Sequence, residues 1–374
     1  MKIAIISPWS VNETSVGGTE RFVIDIAETL KKEKNIVDVY MMSGESHSCN
    51  GVNYININLF NDNCPSEEEK IKKYFGDFTI NESFNRLAKR LEELIDINQY
   101  DIVQLNSQLF LEAFKEKKRI FTIHTNPYEY KMNFGNKSFE KMIEIMKKQR
   151  YTYFITPSEY YRDIYTNLTN LKIACIPHAI DLQRIEKEEK LNDILKKYEI
   201  DKNYKYILLP SRLEPVQKQP LLFMKAFSKI QNKEKYQVIC TGADNQYKKY
   251  ASGIKEFCKE NNINLKIIRF DYMYEAYRIA DIVVLPSKSE SFGYSALESL
   301  GLGIPTILNK IPTYLEIAND SQNSYIFNGT EESLIEQLKK VCNSDLTRKK
   351  QTKLWKDRYD LKLFGRRYLN LMEE

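Results

Sequence analysis

Short, continuously apolar runs alternate with amphipathic stretches along most of the chain, and that alternation predicts its elements. Lys2–Ile6 reads as a buried strand, Glu20–Lys32 as a helix and Val37–Met42 as a second strand. Phe84–Ile97 has Leu87, Leu91, Leu94 and Ile95 at helical spacing. Ile102–Leu105, Ile120–Ile123, Tyr153–Thr156 and Ile173–Ile176 follow as strands and complete a first half. A charged helical stretch, Arg184 to Tyr198, leads to a second start: strand Tyr206–Leu209, a helix from about Pro220 to Ile230, and strands Val238–Thr241, Leu265–Ile268, Ile282–Leu285 and Thr306–Leu308. Such alternation predicts an α/β protein with parallel sheets. The halves share a layout without a sequence repeat, so two doubly wound, Rossmann-like domains facing a cleft are expected, with a hinge near Ile180–Ile185. The expected division is 1–180 and 181–353, with a single helical segment over Leu354–Leu371 carrying Trp355, Tyr359, Phe364 and Tyr368. Ser43–Asn81 is polar and reads as an irregular loop.

Bulk composition narrows the classes. At 374 residues the chain exceeds one ordinary core. A formal net charge of +5 is too mild to argue for nucleic acid. Six cysteines without a CxxC pair fit a reducing compartment, so a cytoplasmic location is expected. The apolar run at the start is too short to span a bilayer. The basic stretch Lys131–Arg150, with Lys137, Lys141, Lys147 and Lys148, suggests weak peripheral contact with the inner face of a membrane. The favoured reading is instead the solvated face of an amphipathic helix bearing Phe139, Met142, Ile143 and Ile145, its charge diluted by Glu140 and Glu144.

The segment Pro286–Pro305 carries the densest chemistry. Glu290 and Glu298 stand eight positions apart around Phe292-Gly293 and a predicted helix start. Strand, loop and helix in that order form the usual ligand position of an open parallel sheet. Backbone N–H groups near Tyr294, Ser295 and Ala296 would favour a phosphate, with the two carboxylates accepting from sugar hydroxyls on either side of it. That is the outline of a nucleotide-sugar. Gly17 and Gly18 let backbone approach a pyrophosphate closely; in isolation an ordinary tight turn before a helix is the better explanation, and only the company of the other motifs favours phosphate approach. Arg212 and Lys218, in the loop leaving the first strand of the second half, could neutralise a leaving diphosphate or be two solvated charges. Acidic residues near a helix start also compensate its dipole.

In order along the chain stand Val16-Gly17-Gly18-Thr19-Glu20-Arg21, Thr122-Ile123-His124-Thr125, Thr156-Pro157-Ser158, Ile176-Pro177-His178-Ala179-Ile180-Asp181, Pro210-Ser211-Arg212-Leu213-Glu214-Pro215-Val216-Gln217-Lys218, the Glu290/Glu298 segment and Thr313-Tyr314-Leu315-Glu316. Together they resemble the family-4 retaining glycosyltransferases of the GT-B fold, over essentially the whole length. The resemblance implies a nucleotide-diphosphate sugar donor (UDP- or GDP-linked) held mainly by the second domain, and a carbohydrate, glycolipid or small-molecule acceptor on the first. It implies Glu290, His124, Arg212 and Lys218 as the catalytic set, and Gly17, Gly18, Phe292, Gly293, Tyr294, Ser295 and Glu298 as substrate-binding. In this scheme His124 contacts the hexose and Glu298 the ribose. Transfer is expected without an essential metal or other cofactor, and a last helix crosses back to the first domain. His178 and Ala179 stand where the family commonly has Asn and Gly, so no role is carried over to His178. A non-catalytic subunit partnering an active transferase, or a sugar-nucleotide epimerase of similar fold, is the competing expectation.

Overall fold

The computed structural model describes residues 1–12, 17–59, 81–181, 191–242, 247–344 and 347–373. The chain divides into two compact units, Met1–Ala179 with Leu361–Glu374, and Ile180–Asp360. The first unit contains β1 (Lys2–Ser7), α1 (Gly18–Lys32), β2 (Ile36–Met41), β3 (His47–Cys49), β4 (Val52–Asn56), α2 (Asn81–Leu94), β5 (Ile102–Leu105), β6 (Arg119–Thr122), α3 (Pro127–Lys147), β7 (Thr152–Thr156), α4 (Glu159–Thr169) and β8 (Ile173–Cys175). Its sheet runs β3-β4-β2-β1-β5-β6-β7-β8. Every pairing is parallel except β3 with β4. Ile3, Ala4, Ile5 and Ile6 are all fully buried, which explains the unbroken apolar run: both faces of a parallel sheet are covered. Phe139, Met142, Ile143 and Ile145 of α3 are buried in this unit's core, as the solvated-face reading of that helix requires.

The expectation that Ser43–Asn81 is irregular needs correction in its first part. β3 and β4 form a hairpin there, and β4 extends the sheet beside β2, with Val39 opposite Tyr54. Cys49 faces Val52 across a two-residue turn in which Asn50 and Gly51 both have positive φ, 50° and 77°. Asn-Gly is the pair that such a turn selects, because its backbone twist matches that of the strands. The strands were obscured because β3 is three residues long and partly exposed throughout. Residues 60–80 lie outside the described part of the chain, as do 184–190 of the predicted charged helix.

The second unit contains α5 (Leu191–Lys197), β9 (Lys205–Leu209), α6 (Pro220–Ser228), β10 (Tyr236–Cys240), α7 (Lys248–Glu260), β11 (Asn264–Ile267), α8 (Met273–Ile279), β12 (Ile282–Leu285), α9 (Tyr294–Gly301), β13 (Thr306–Asn309), α10 (Pro312–Ala318), β14 (Ser324–Phe327), α11 (Glu331–Cys342) and α12 (Lys353–Arg358). The sheet order is β11-β10-β9-β12-β13-β14, all parallel. Alternate residues of each central strand feed opposite layers. Leu208, Val283 and Leu285 pack with Tyr277, Leu297 and Tyr314; Ile207, Leu209 and Val284 pack with Phe223, Ile254 and Leu334. Helices therefore cover both faces, the doubly wound arrangement.

The predicted single helix over Leu354–Leu371 is two helices, α12 and α13 (Leu361–Glu373). Between them the Tyr359 carbonyl accepts from the Ile180 amide at 3.0 Å, and Ile180 and Asp360 form an isolated parallel bridge. A carbonyl paired in this way is lost to a continuing helix. α13 belongs to the first unit, where Thr29 packs against Gly365, Lys118 Nζ donates to the Met372 carbonyl, and Tyr368 is fully buried.

Candidate active site

In the second unit the connections leave β9 toward β10 on one side, while β12 pairs with β9 on the other. The carboxyl ends of β9 and β12 are therefore neighbours at the reversal of strand order, the position where open α/β sheets take ligands. The loop after β9 carries Arg212 and Lys218, and the loop after β12 carries Glu290. Lys218 Nζ meets Glu290 Oε1 at 2.6 Å, with 18 % and 15 % of the two side chains exposed.

Backbone chemistry sets that meeting. The buried Glu214 carboxylate accepts from the amides of Val216, Gln217 and Lys218 at 2.8, 2.6 and 2.9 Å. Three charge-assisted bonds to consecutive amides pin the turn that presents Lys218. Gln217 joins the two loops, donating through Nε2 to the Ser289 carbonyl at 3.0 Å and accepting at its own carbonyl from the Lys288 amide at 2.8 Å. Thr313 Oγ1, at the start of α10, donates to the Glu290 carbonyl at 3.2 Å, and Tyr314 OH donates to Glu290 Oε1 at 3.3 Å. Tyr314 is buried; burial first, and then the negative Glu290, push its phenol well above its ordinary pKa.

Gly293 precedes α9 with φ of 112°, and a Cβ there would lie 2.7 Å from Tyr314 Cε1. Both the left-handed backbone and the adjoining ring require glycine. No side chain caps α9; the Gly293 carbonyl accepts from Ala296 and Leu297. Ser295 Oγ donates to the Pro210 carbonyl at 3.3 Å, tying α9 to the end of β9. Phe292 is buried, its ring 5.7 Å from Tyr294 and 6.4 Å from Tyr359, so its aromatic body serves the core. Glu298 lies one turn into α9 beside the buried Tyr277, whose phenol is raised well above its usual pKa by burial and then by that carboxylate. Arg212 is exposed and forms no salt bridge among the described residues.

Glu214 and Gly242 also contribute, and sequence reasoning gave neither a role. Glu214 lay inside a quoted motif, but nothing in its spacing marked it as the anchor of the turn. Gly242 follows β10, and a Cβ there would lie 2.8 Å from the Arg212 amide nitrogen and closer still to Arg212 Cα. A glycine directly after a buried strand was the available signal.

In the first unit Gly17 is the N-cap of α1, with the Glu20 carboxylate folded back over it, and Gly18 is the first helical residue. Gly17 has an ordinary φ of −77°, so close approach, not backbone strain, is what its missing side chain offers. His124 follows β6. Its ring lies 4.7 Å from Phe22 and 5.5 Å from His178, and Phe22 also stands 4.9 Å from His178. His124 is half-buried, and burial holds its pKa down to about 3. His178 is buried, and burial together with His124 lowers its pKa well below the ordinary value. Among the described residues no group of three His, Cys, Asp or Glu is placed to hold a metal ion, and no helix is long and apolar enough to cross a membrane.

Comparison with known proteins accords with the two-sheet fold. Residues 16–184 match the model for Glycosyltransferase Family 4, and residues 191–357 the model for Glycosyl transferases group 1. The uncharacterized glycosyltransferase MJ1607 of Methanocaldococcus jannaschii is 21 % identical over 354 residues, covering 86 % of this chain and 84 % of that protein. Among solved structures, sucrose-phosphate synthase of Thermosynechococcus elongatus superposes with a TM-score of 0.78 at 14 % identity, covering 100 % of this chain and 98 % of the other. Anabaena HepE in complex with UDP and glucose gives 0.74 at 15 % identity, with both chains covered completely. WaaG, a glycosyltransferase involved in lipopolysaccharide biosynthesis, gives 0.72 at 14 %, covering 99 % of each.

Proposed function

Because the chain belongs to the family-4 glycosyltransferases and has the GT-B fold, we propose that it moves a hexosyl group from a nucleotide-diphosphate sugar to an acceptor hydroxyl with retention of anomeric configuration. The observation that carries this reading is the Lys218–Glu290 pair beside the uncapped start of α9. A cation and a carboxylate beside a helix start at one strand reversal suit a sugar joined to a diphosphate. The HepE complexes with UDP and with UDP-glucose support a donor of that class.

In the proposed mechanism Lys218 and Arg212 neutralise the diphosphate as the anomeric C–O bond lengthens. Glu290 holds donor-sugar hydroxyls and Glu298 the ribose. The acceptor oxygen forms its bond to the anomeric carbon on the face the diphosphate leaves, and its proton passes to the departing phosphate oxygen. Side-chain cations take the place of a divalent ion, so no metal is required. Gly17, Gly18 and His124 keep the roles implied by the resemblance. The acceptor is a carbohydrate, a glycolipid or a small molecule.

A thermal-shift screen with UDP-, GDP- and ADP-sugars tests the donor, since a ligand of the native state raises the melting point by mass action. The matching donor, incubated with chelator present and analysed by NMR of the anomeric proton, is expected to give a retained product. No stabilisation by any nucleotide-sugar, or an inverted product, overturns the reading.

A further inference from the structure

We propose that Asn106 is a positioning residue that fixes His124 as a neutral imidazole carrying its proton on Nε2. Asn106 follows β5 and is 2 % exposed. Its Nδ2 donates to the Ile6 carbonyl at 3.2 Å, and a carbonyl can only accept, so the amide's orientation is set. Oδ1 therefore faces the other way, where it accepts from Gln104 Nε2 at 3.1 Å and lies 3.4 Å from His124 Nε2. An amide oxygen has no proton to give, so the ring nitrogen facing it is the one that bears hydrogen. Gln104 is oriented in turn: its Nε2 donates to Thr122 Oγ1 at 2.8 Å and shares its other hydrogen between Asn106 Oδ1 and the Leu105 carbonyl at 3.3 Å, and Thr122 Oγ1 pairs with Tyr368 OH at 3.0 Å. A continuous polar chain thus runs from α13 to the imidazole.

The ring's faces agree with this assignment. Phe22 of α1 packs edge-to-face on His124, and His178 stacks on it with 28° between the planes. Phe22 is itself backed by Phe364 and Tyr368 of α13. Among the described residues the titratable group stacked on the ring is His178, whose pKa is also depressed, and Tyr368 stands behind Phe22 with its phenol raised by burial. Burial is what depresses the pKa of His124. A ring so held offers Nδ1 as a lone-pair acceptor. The consequence for catalysis, which rests on the donor-site reading, is that His124 accepts a hydrogen bond from a substrate hydroxyl and neither donates a proton nor stabilises charge as a cation.

Histidine-selective 15N labelling with long-range 1H–15N correlation reads the tautomer directly, and only three histidines need assigning, through H47Q and H178N. In the ligand-free protein His124 is expected to stay neutral and Nε2-protonated from about pH 8 to about pH 5. N106A should release a mixture of tautomers, and N106D, which places a carboxylate at the same position, should move the His124 titration upward into that range. Each variant's fold is checked by near-UV circular dichroism. Should both variants misfold, the wild-type spectrum alone decides. A proton on Nδ1, titration near the ordinary value of about 6.5, or an unchanged tautomer in folded N106A overturns the proposal. Since no nucleotide-sugar enters the measurement, its outcome is separable from that of the donor screen.

Discussion

Lys218 Nζ and Glu290 Oε1 stand 2.6 Å apart although their residues are separated by 72 positions. Partly exposed ion pairs contribute only about 0–1 kcal/mol to stability, so fold maintenance is a weak reason for this one. Its placement at the β9/β12 reversal gives a better one under the proposed function: with a donor bound, the cation would turn to the phosphates and the carboxylate to a sugar hydroxyl. K218M and E290Q are each expected to lower kcat/KM by roughly 10²–10³-fold, with the melting temperature nearly unchanged. Activity and melting curves on the same preparations decide this. A large fall in melting temperature alongside retained turnover would make the pair structural.

Tyr314 and Lys218 act on the same oxygen of Glu290. The Tyr314 hydroxyl donates at 3.3 Å to the oxygen that Lys218 also holds, and its ring fills the space that Gly293 leaves open. Y314F removes the hydroxyl and keeps the ring, so packing survives. A bond to a charged acceptor is worth about 1.5–3 kcal/mol, and at this length the lower end applies, a fall of roughly tenfold in kcat/KM. Steady-state kinetics of Y314F beside Y314A separates the two functions, because only Y314A should also destabilise the protein. Full activity in Y314F would show that Lys218 alone orients the carboxylate.

How far the sequence reached can be judged from particular residues. The central strands were plain because both sheet faces are covered, leaving unbroken apolar runs such as Ile3–Ile6 and Ile282–Leu285. The edges were not: β3, β4 and β14 are short and partly exposed, and the Asn50-Gly51 turn was the one local signal for the hairpin. Lys218 and Glu290 could be named as chemistry from spacing and resemblance. Their contact could not, because it depends on β9 and β12 being adjacent, and adjacency is a property of strand order. Asn106 was not singled out, and Tyr314, though inside a quoted motif, was given no role, for the same reason: each acts through a neighbour brought close by the fold. The break at Tyr359–Asp360 was hidden because its cause, Ile180, lies far away in sequence.

Gly242 offers a test of how closely the Arg212 loop is placed. A methyl group there would press on the Arg212 backbone, which cannot swing aside as a side chain could. G242A is expected to cost about 1–3 kcal/mol of stability through overpacking. It should also lower kcat by up to roughly 10²-fold, since a displacement of about 1 Å in a positioning element has that effect. Denaturant melts and single-turnover rates measure the two losses. A variant with wild-type stability and rate would mean that the loop has slack the geometry does not show.

The two packed imidazoles predict how stability changes with acid. In the unfolded chain a histidine takes up its proton near pH 6.5, at the ordinary value. In the fold His124 does so only near 3, and His178 well below its ordinary value, both chiefly because burial disfavours the charged ring. Below about pH 6.5 the unfolded state therefore binds more protons than the native one, and stability falls as pH falls. The contribution is complete above the unfolded value and drains away through the window down to the native one. The limiting slope is about 1.4 kcal/mol per pH unit for each histidine. H178N places the family's common residue at this position and removes one proton from the difference. Urea midpoints between about pH 7 and pH 5, where ordinary carboxylates are still largely ionised, should decline steeply in the wild type and about half as steeply in H178N. Parallel declines in the two proteins would mean that His178 is protonated in the native state, and the stack of His178 on His124 would then have to open in acid.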